Sequence, residues 1–98
     1  MDGPDEIIHQ STRLKIAATL NALHFSDSME FSKLKQILGA TDGNMATHLG
    51  ALEKAGYIAV QKDFVGKKPR TRVALTRTGR KAFEKHVQYL KDLLEGGG

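Results

Sequence analysis

Apolar positions along the chain change their spacing twice, and each change marks a change of element. From Thr12 to Leu23, the residues Leu14, Ile16, Ala17, Leu20 and Leu23 approximate the steps of three and four of a helical face, with Ser11 expected as its cap. Ile7 and Ile8 extend that helix backwards or pack on it. The polar stretch His24–Ser28 stops it, and Met29–Phe31 is long enough only for a strand at a sheet edge. Ser32 is expected to cap a second helix with Leu34, Ile37 and Leu38 inward, closed by Gly39. Thr41 is expected to cap a third, over 42–55, whose stripe is Met45, Leu49 and Leu52, with Gly56 at its end.

The period then drops to two. Residues 57–65 and 71–76 read as strands, with Ile58, Val60 and Phe64 sharing one face and Val73 and Leu75 answering them. Residues 66–70 make a five-residue hairpin tip, where Pro69 does no harm to a ladder and Gly66 can take a positive φ. After Thr76 or Thr78 the helical period returns. Ala82, Phe83, Val87, Leu90, Leu93 and Leu94 give the last helix a wide apolar stripe. The expected fold class is α+β, mainly α: a winged helix-turn-helix, with a three-helix core, a β-hairpin wing and a long C-terminal helix. Residues 1–98 form one domain in this reading, with the core at about 11–76 and the last helix at about 77–95. The first few residues and Gly96–Gly98 read as loose ends.

Composition narrows the function classes. At 40% hydrophobic and 27% charged residues the chain is foldable, and 98 residues support one core without a deep cleft. With no cysteine, disulfides, thiolate metal sites and cysteine nucleophiles are excluded. The four histidines, His9, His24, His48 and His86, show no metal-ligand spacing, and no serine stands in a nucleophile context. No enzyme, no metal and no cofactor is expected. No apolar run approaches the ~18 residues of a membrane span, and the acidic N-terminus lacks a signal-peptide pattern, so a cytoplasmic protein is expected.

The net charge of +4 is unevenly spread. Residues 1–61 hold five Lys/Arg against seven Asp/Glu, and residues 62–98 hold ten against four. A basic half on a near-neutral half suits an anionic partner met from one side; solvation of the last helix accounts for it equally well.

Three segments in order, "TDGNMATHLGALEKAGYI", "GKKPRTRVALT" and "LTRTGRKAF", resemble the winged-helix DNA-binding domains of prokaryotic transcriptional regulators, near the MarR and ArsR groups. The resemblance runs from about Leu14 to Leu94. It implies a dimeric regulator of double-stranded DNA with long terminal helices at the dimer interface.

On the third helix, Thr41, Gly43, Asn44, Thr47 and His48 are the candidate DNA-binding residues. Asn can pair with adenine, Thr can meet a base or a thymine methyl, and His can donate to base or phosphate acceptors. Gly43 and Gly50 suggest either a close approach to that helix or tight packing within the fold. Asp42 supports the positive end of the helix dipole or accepts from a cytosine amine. Lys67, Lys68, Arg70 and Arg72 are the candidate wing contacts to phosphates or the minor groove. Arg13, Lys15, Lys33, Lys35 and Arg77 are secondary phosphate candidates, for which solvation is as good an account. Ile7, Ile8, Phe83, Val87, Leu90, Leu93 and Leu94 are the candidate dimer interface, with packing inside one chain as the alternative. A small-molecule effector is not indicated by any residue pattern. The other function considered is a winged helix serving as a protein- or RNA-interaction module.

Overall fold

The computed structural model describes residues 3–96; the loose ends expected at Met1, Asp2, Gly97 and Gly98 lie outside them. The chain order is α1 (Ser11–Asn21), β1 (Met29–Glu30), α2 (Phe31–Leu38), α3 (Asp42–Lys54), β2 (Ile58–Val65), β3 (Lys68–Leu75) and α4 (Arg77–Leu94). The three strands form one antiparallel sheet in the order β1-β3-β2. Met29 pairs with Val73 and Glu30 with Arg72, so the short segment finds its place at the sheet edge.

The core is drawn from every element but α4 and the two-residue β1. Ile8, Ile16, Ala17, Leu20, Leu34, Met45, Leu49, Leu52, Ile58, Val73 and Leu75 are buried. Seven large side chains among them are below 2% exposed, which is the condition for close packing in so small a chain. α4 lies against α1 and contributes Phe83 to the rim of this cluster.

Helix ends are fixed by local hydrogen bonds. Thr41 caps α3 by accepting from the Asn44 N–H at 3.2 Å, and Thr76 caps α4 by accepting from the Gly79 N–H at 3.0 Å. At the end of α3, Gly56 takes φ 80°, the Tyr57 N–H returns to the Leu52 carbonyl and the Gly56 N–H to the Glu53 carbonyl. This double return satisfies two orphan carbonyls and turns the chain directly into β2.

Two expected caps are different ones. Gln10, not Ser11, caps α1, its side chain accepting from the Arg13 N–H at 3.0 Å. Glu30, not Ser32, stands at the N-cap of α2 without a side-chain bond, because β1 runs straight into that helix. Ile37 is 52% exposed and not inward: an eight-residue helix buries one line of side chains, and Leu34 occupies it.

The hairpin tip is also tighter than expected. Val65 pairs with Lys68, leaving only Gly66 and Lys67 in the turn. Gly66 has φ 62° and Lys67 is not among the residues with positive φ, the arrangement of a type II′ hairpin turn with glycine first. Pro69 therefore lies in β3, opposite Phe64. By the alternation of an antiparallel ladder this is a non-hydrogen-bonded pair, so the missing N–H of Pro69 costs β2 nothing.

The segment before α1 is held by a polar cluster. Asp5 accepts from the Ile7 and Ile8 N–H groups, each at 2.9 Å, and from the Tyr57 hydroxyl at 2.8 Å. Its own N–H donates to Nδ1 of the buried His86 at 3.2 Å. Burial works to raise the Asp5 carboxyl, but the bonds from Ile8, Tyr57 and Ile7 hold it below its usual range. Burial and the same Asp5 push the Tyr57 hydroxyl up to about 12. For His86, burial lowers the imidazole below its usual range, opposed by the nearby Asp5 carboxylate and assisted by His9.

Candidate nucleic-acid interface

α3 and the β2–β3 hairpin carry the candidate residues. The α3 stripe of Met45, Leu49 and Leu52 is buried, which turns Gly43, Asn44 and Thr47 to solvent and leaves His48 half-exposed. These positions divide by helical angle. Gly43 and Thr47 point straight away from the core. Asn44, His48 and Ala51 lie on one flank, while Ala46, Gly50 and Glu53 lie on the other. The second flank lines a groove of about 610 Å³ with Phe31, Val60, Lys62 and Thr71, so it faces the hairpin. The first flank faces α1: the Arg13 Nε–H donates to His48 Nδ1 at 3.2 Å. With Nδ1 accepting, a neutral His48 carries its proton on Nε2.

Some candidate groups are already committed. The Thr41 hydroxyl oxygen serves as the α3 cap, and the Thr47 hydroxyl donates to the Gly43 carbonyl at 3.0 Å. Thr47 thus retains acceptor lone pairs and a methyl group for an incoming ligand. Lys35 pairs with Asp42 at 2.6 Å, tying α2 to the first turn of α3. Neither Gly43 nor Gly50 has a heavy atom within 4 Å of where a Cβ would stand, so tight packing inside the fold does not explain them. The close approach is instead at Gly79, a position without a candidate role in the sequence. A Cβ there would run into the Tyr57 carbonyl, against which the start of α4 is packed.

The wing cations fall into two groups. Lys67 and Lys68 are exposed at the tip, as is Lys62 on β2. Arg70 and Arg72 are not free in the same way. Asp63 accepts two bonds from Arg70, at 2.9 and 2.8 Å, and Arg72 approaches the same carboxylate at 3.1 Å. The Arg70 guanidinium holds the Asp63 carboxyl below the usual carboxylate range, and Arg72 adds to it. Glu30 stands 4.0 Å from Arg70 and links the wing to β1. Asp63 has no assigned role in the sequence, although its position three residues before the turn, with Arg70 three after it, is a cross-strand ion-pair spacing once the turn is known.

The candidate dimer residues also divide. Ile8 is 0% exposed within its own chain, and Phe83 is partly buried with one side packed against the core. Ile7 is likewise packed on the core, and Val87 and Leu90 are half-buried. The apolar surface that remains open on α4 is Leu93, 52% exposed, and Leu94, 86% exposed. Among the described residues no group of three His, Asp or Glu could hold a metal ion, and no helix is long and apolar enough to cross a membrane.

Comparison with known proteins bears on this arrangement. Residues 12–94 match the family model for a winged helix DNA-binding domain. An uncharacterized protein of Methanocaldococcus jannaschii is 33% identical over 88 residues, covering 90% of this chain and 92% of the relative. The solved structure of a transcriptional regulator homologue from Pyrococcus horikoshii OT3 superposes with a TM-score of 0.84 at 27% identity, covering 94% of this chain and 88% of that one. A protein from Porphyromonas gingivalis W83, described as a MarR family transcriptional regulator, shares the fold with a TM-score of 0.69 at 20% identity, covering 97% and 98% of the two chains.

Proposed function

The chain belongs to the winged helix DNA-binding domain family, and we propose that it acts as a homodimeric, sequence-specific regulator of transcription. The observation that carries this reading is the pairing of a small, polar outer face on α3 with an exposed cationic hairpin tip in one chain. α3 enters the major groove by its N-terminal half. Asn44 pairs with an adenine edge, the Thr47 methyl and lone pairs meet a neighbouring base, and His48 offers its Nε2–H. Gly43, with open space over it, lets the backbone come near the groove wall.

The wing supplies grip. Lys67 and Lys68 meet phosphates, which fixes register without reading sequence. Arg70 and Arg72 are second in line, since each must share or leave Asp63 to reach a phosphate. Two copies joined through Leu90, Leu93 and Leu94 of α4 place their α3 helices on successive major-groove faces, about 34–36 Å apart. An effector that changes the geometry of that joint changes the separation of the two α3 helices.

Selection of duplexes from a random-sequence pool by the purified protein tests the reading. It should return one enriched, two-fold symmetric motif. Enrichment of single-stranded RNA over duplex in a parallel pool would support the interaction-module alternative.

A further inference from the structure

The hairpin ends in an apolar point set among cations. Phe64 is 70% exposed, although it shares a sheet face with the buried Ile58, because the ribbon outruns the helical layer that covers its base. Its cross-strand partner is Pro69, in the ladder position where side chains stand closest. Val65, on the opposite face, is 56% exposed. Both faces of the tip are therefore apolar, and the two-residue turn keeps it narrow.

Lys62, Lys67 and Lys68 surround this point and are exposed. The one acid of the hairpin, Asp63, is engaged by Arg70 and Arg72. A matching occupant is anionic at its rim and apolar within. A neutral protein groove would gain nothing from the cations. The minor groove of DNA has that profile: phosphates flank it, and sugar and base faces line its walls and floor.

The geometry points to the wing tip as a minor-groove wedge, with Phe64 as the residue that spreads the groove. This rests on the duplex-binding reading above and adds a mechanism to it. A minor groove about 6 Å wide must open to admit the ring, and opening it bends the duplex toward the major groove, where α3 sits. The base steps that deform most easily are then favoured at a position α3 does not touch.

The test uses full-length protein and a fluorophore-labelled duplex of about 40 base pairs, long enough for both half-sites and their flanks, recovered by selection with the wild type. Affinity is read by anisotropy across a salt series, and bend by energy transfer between the duplex ends. Wild type, Phe64→Ala and Phe64→Trp are compared, with thermal melts expected to coincide because residue 64 lies outside the core. Phe64→Ala should bind about tenfold more weakly with an unchanged salt slope, since no charge leaves, and the bend should be lost. Phe64→Trp should restore both. If Phe64→Ala binds and bends the duplex as wild type does, the wedge is wrong while duplex binding stands. Failure of the wild type to bind any duplex would remove the underlying reading and the wedge together.

Discussion

Arg70 faces Asp63 across the β2–β3 ladder and donates from Nε and Nη2 to its two carboxylate oxygens, at 2.9 and 2.8 Å. Arg72 shares the second oxygen at 3.1 Å. One carboxylate thus restrains half of the four candidate wing cations and holds them along the ribbon. Substituting Asp63→Asn keeps the size and removes the charge. Duplex affinity should rise several-fold at low salt, and the slope of log affinity against log salt should steepen by about 0.9 for each phosphate newly reached. Anisotropy titrations at four or five salt concentrations measure it. An unchanged slope would mean that Arg70 and Arg72 stay out of phosphate contact even when released.

Glycine substitutions should split by site. Gly79→Ala drives a methyl into the Tyr57 carbonyl and should cost about 2–3 kcal/mol or more, since the obstacle is backbone and not a flexible side chain. Gly43→Ala and Gly50→Ala meet open space and should gain up to ~1 kcal/mol of helix propensity. Urea unfolding curves give all three. In the proposed complex Gly43→Ala should weaken duplex binding while it strengthens the fold, an opposition that a purely structural role for Gly43 does not produce.

The Asp5–Tyr57–His86 cluster makes stability depend on pH at both ends. Tyr57 has its folded value raised from 10.0 to about 12, so its contribution is complete below pH 10 and is lost as pH climbs toward 12. His86 and Asp5 have lowered values, so theirs is present above about 6.5 and 3.8 respectively and is lost as pH falls through the folded values. The stability difference between wild type and Tyr57→Phe, from urea curves, should be constant from pH 7 to 9 and shrink between 10 and 12. A difference that stays constant to pH 12 would show that the Tyr57–Asp5 bond contributes nothing.

Association should depend on the far end of α4. Light scattering should give twice the chain mass of 10.8 kDa for the wild type. Leu93→Glu with Leu94→Glu should give the chain mass itself, with little change in helical content, because both residues are largely exposed within one chain. A wild type that stays at the chain mass at high concentration would contradict the homodimer.

Much of the fold was legible because its signals are local. Thr41 and Gly56 bracket α3, and its stripe at 45, 49 and 52 is unambiguous in period; the same holds for Ile16, Ala17 and Leu20 on α1. The misses come where a residue's fate is set by what packs on it. Ser11 and Ser32 are good caps by type, yet the chain entered each helix one or two residues earlier. Pro69 suggested a wide tip, whereas Gly66 closes a two-residue turn and the ladder tolerates Pro69 at a non-hydrogen-bonded position. The interface candidates stand apart from these: an apolar stripe fits its own core or another chain equally well, and periodicity does not separate the two, with Ile8 buried in its own chain and Phe83 half-buried against the core. At the candidate site the cations were plain in the sequence. Their restraint by Asp63 was not, since it depends on strand register.

The central claim, that this chain grips duplex DNA through its wing while α3 reads it, is tested most directly by wild-type affinity for mixed duplex as a function of salt. A dimer that uses Lys67 and Lys68 in each copy should give a straight line of log affinity against log salt with a slope of about −3.6. A flat line, or no binding at the lowest salt, would contradict the account.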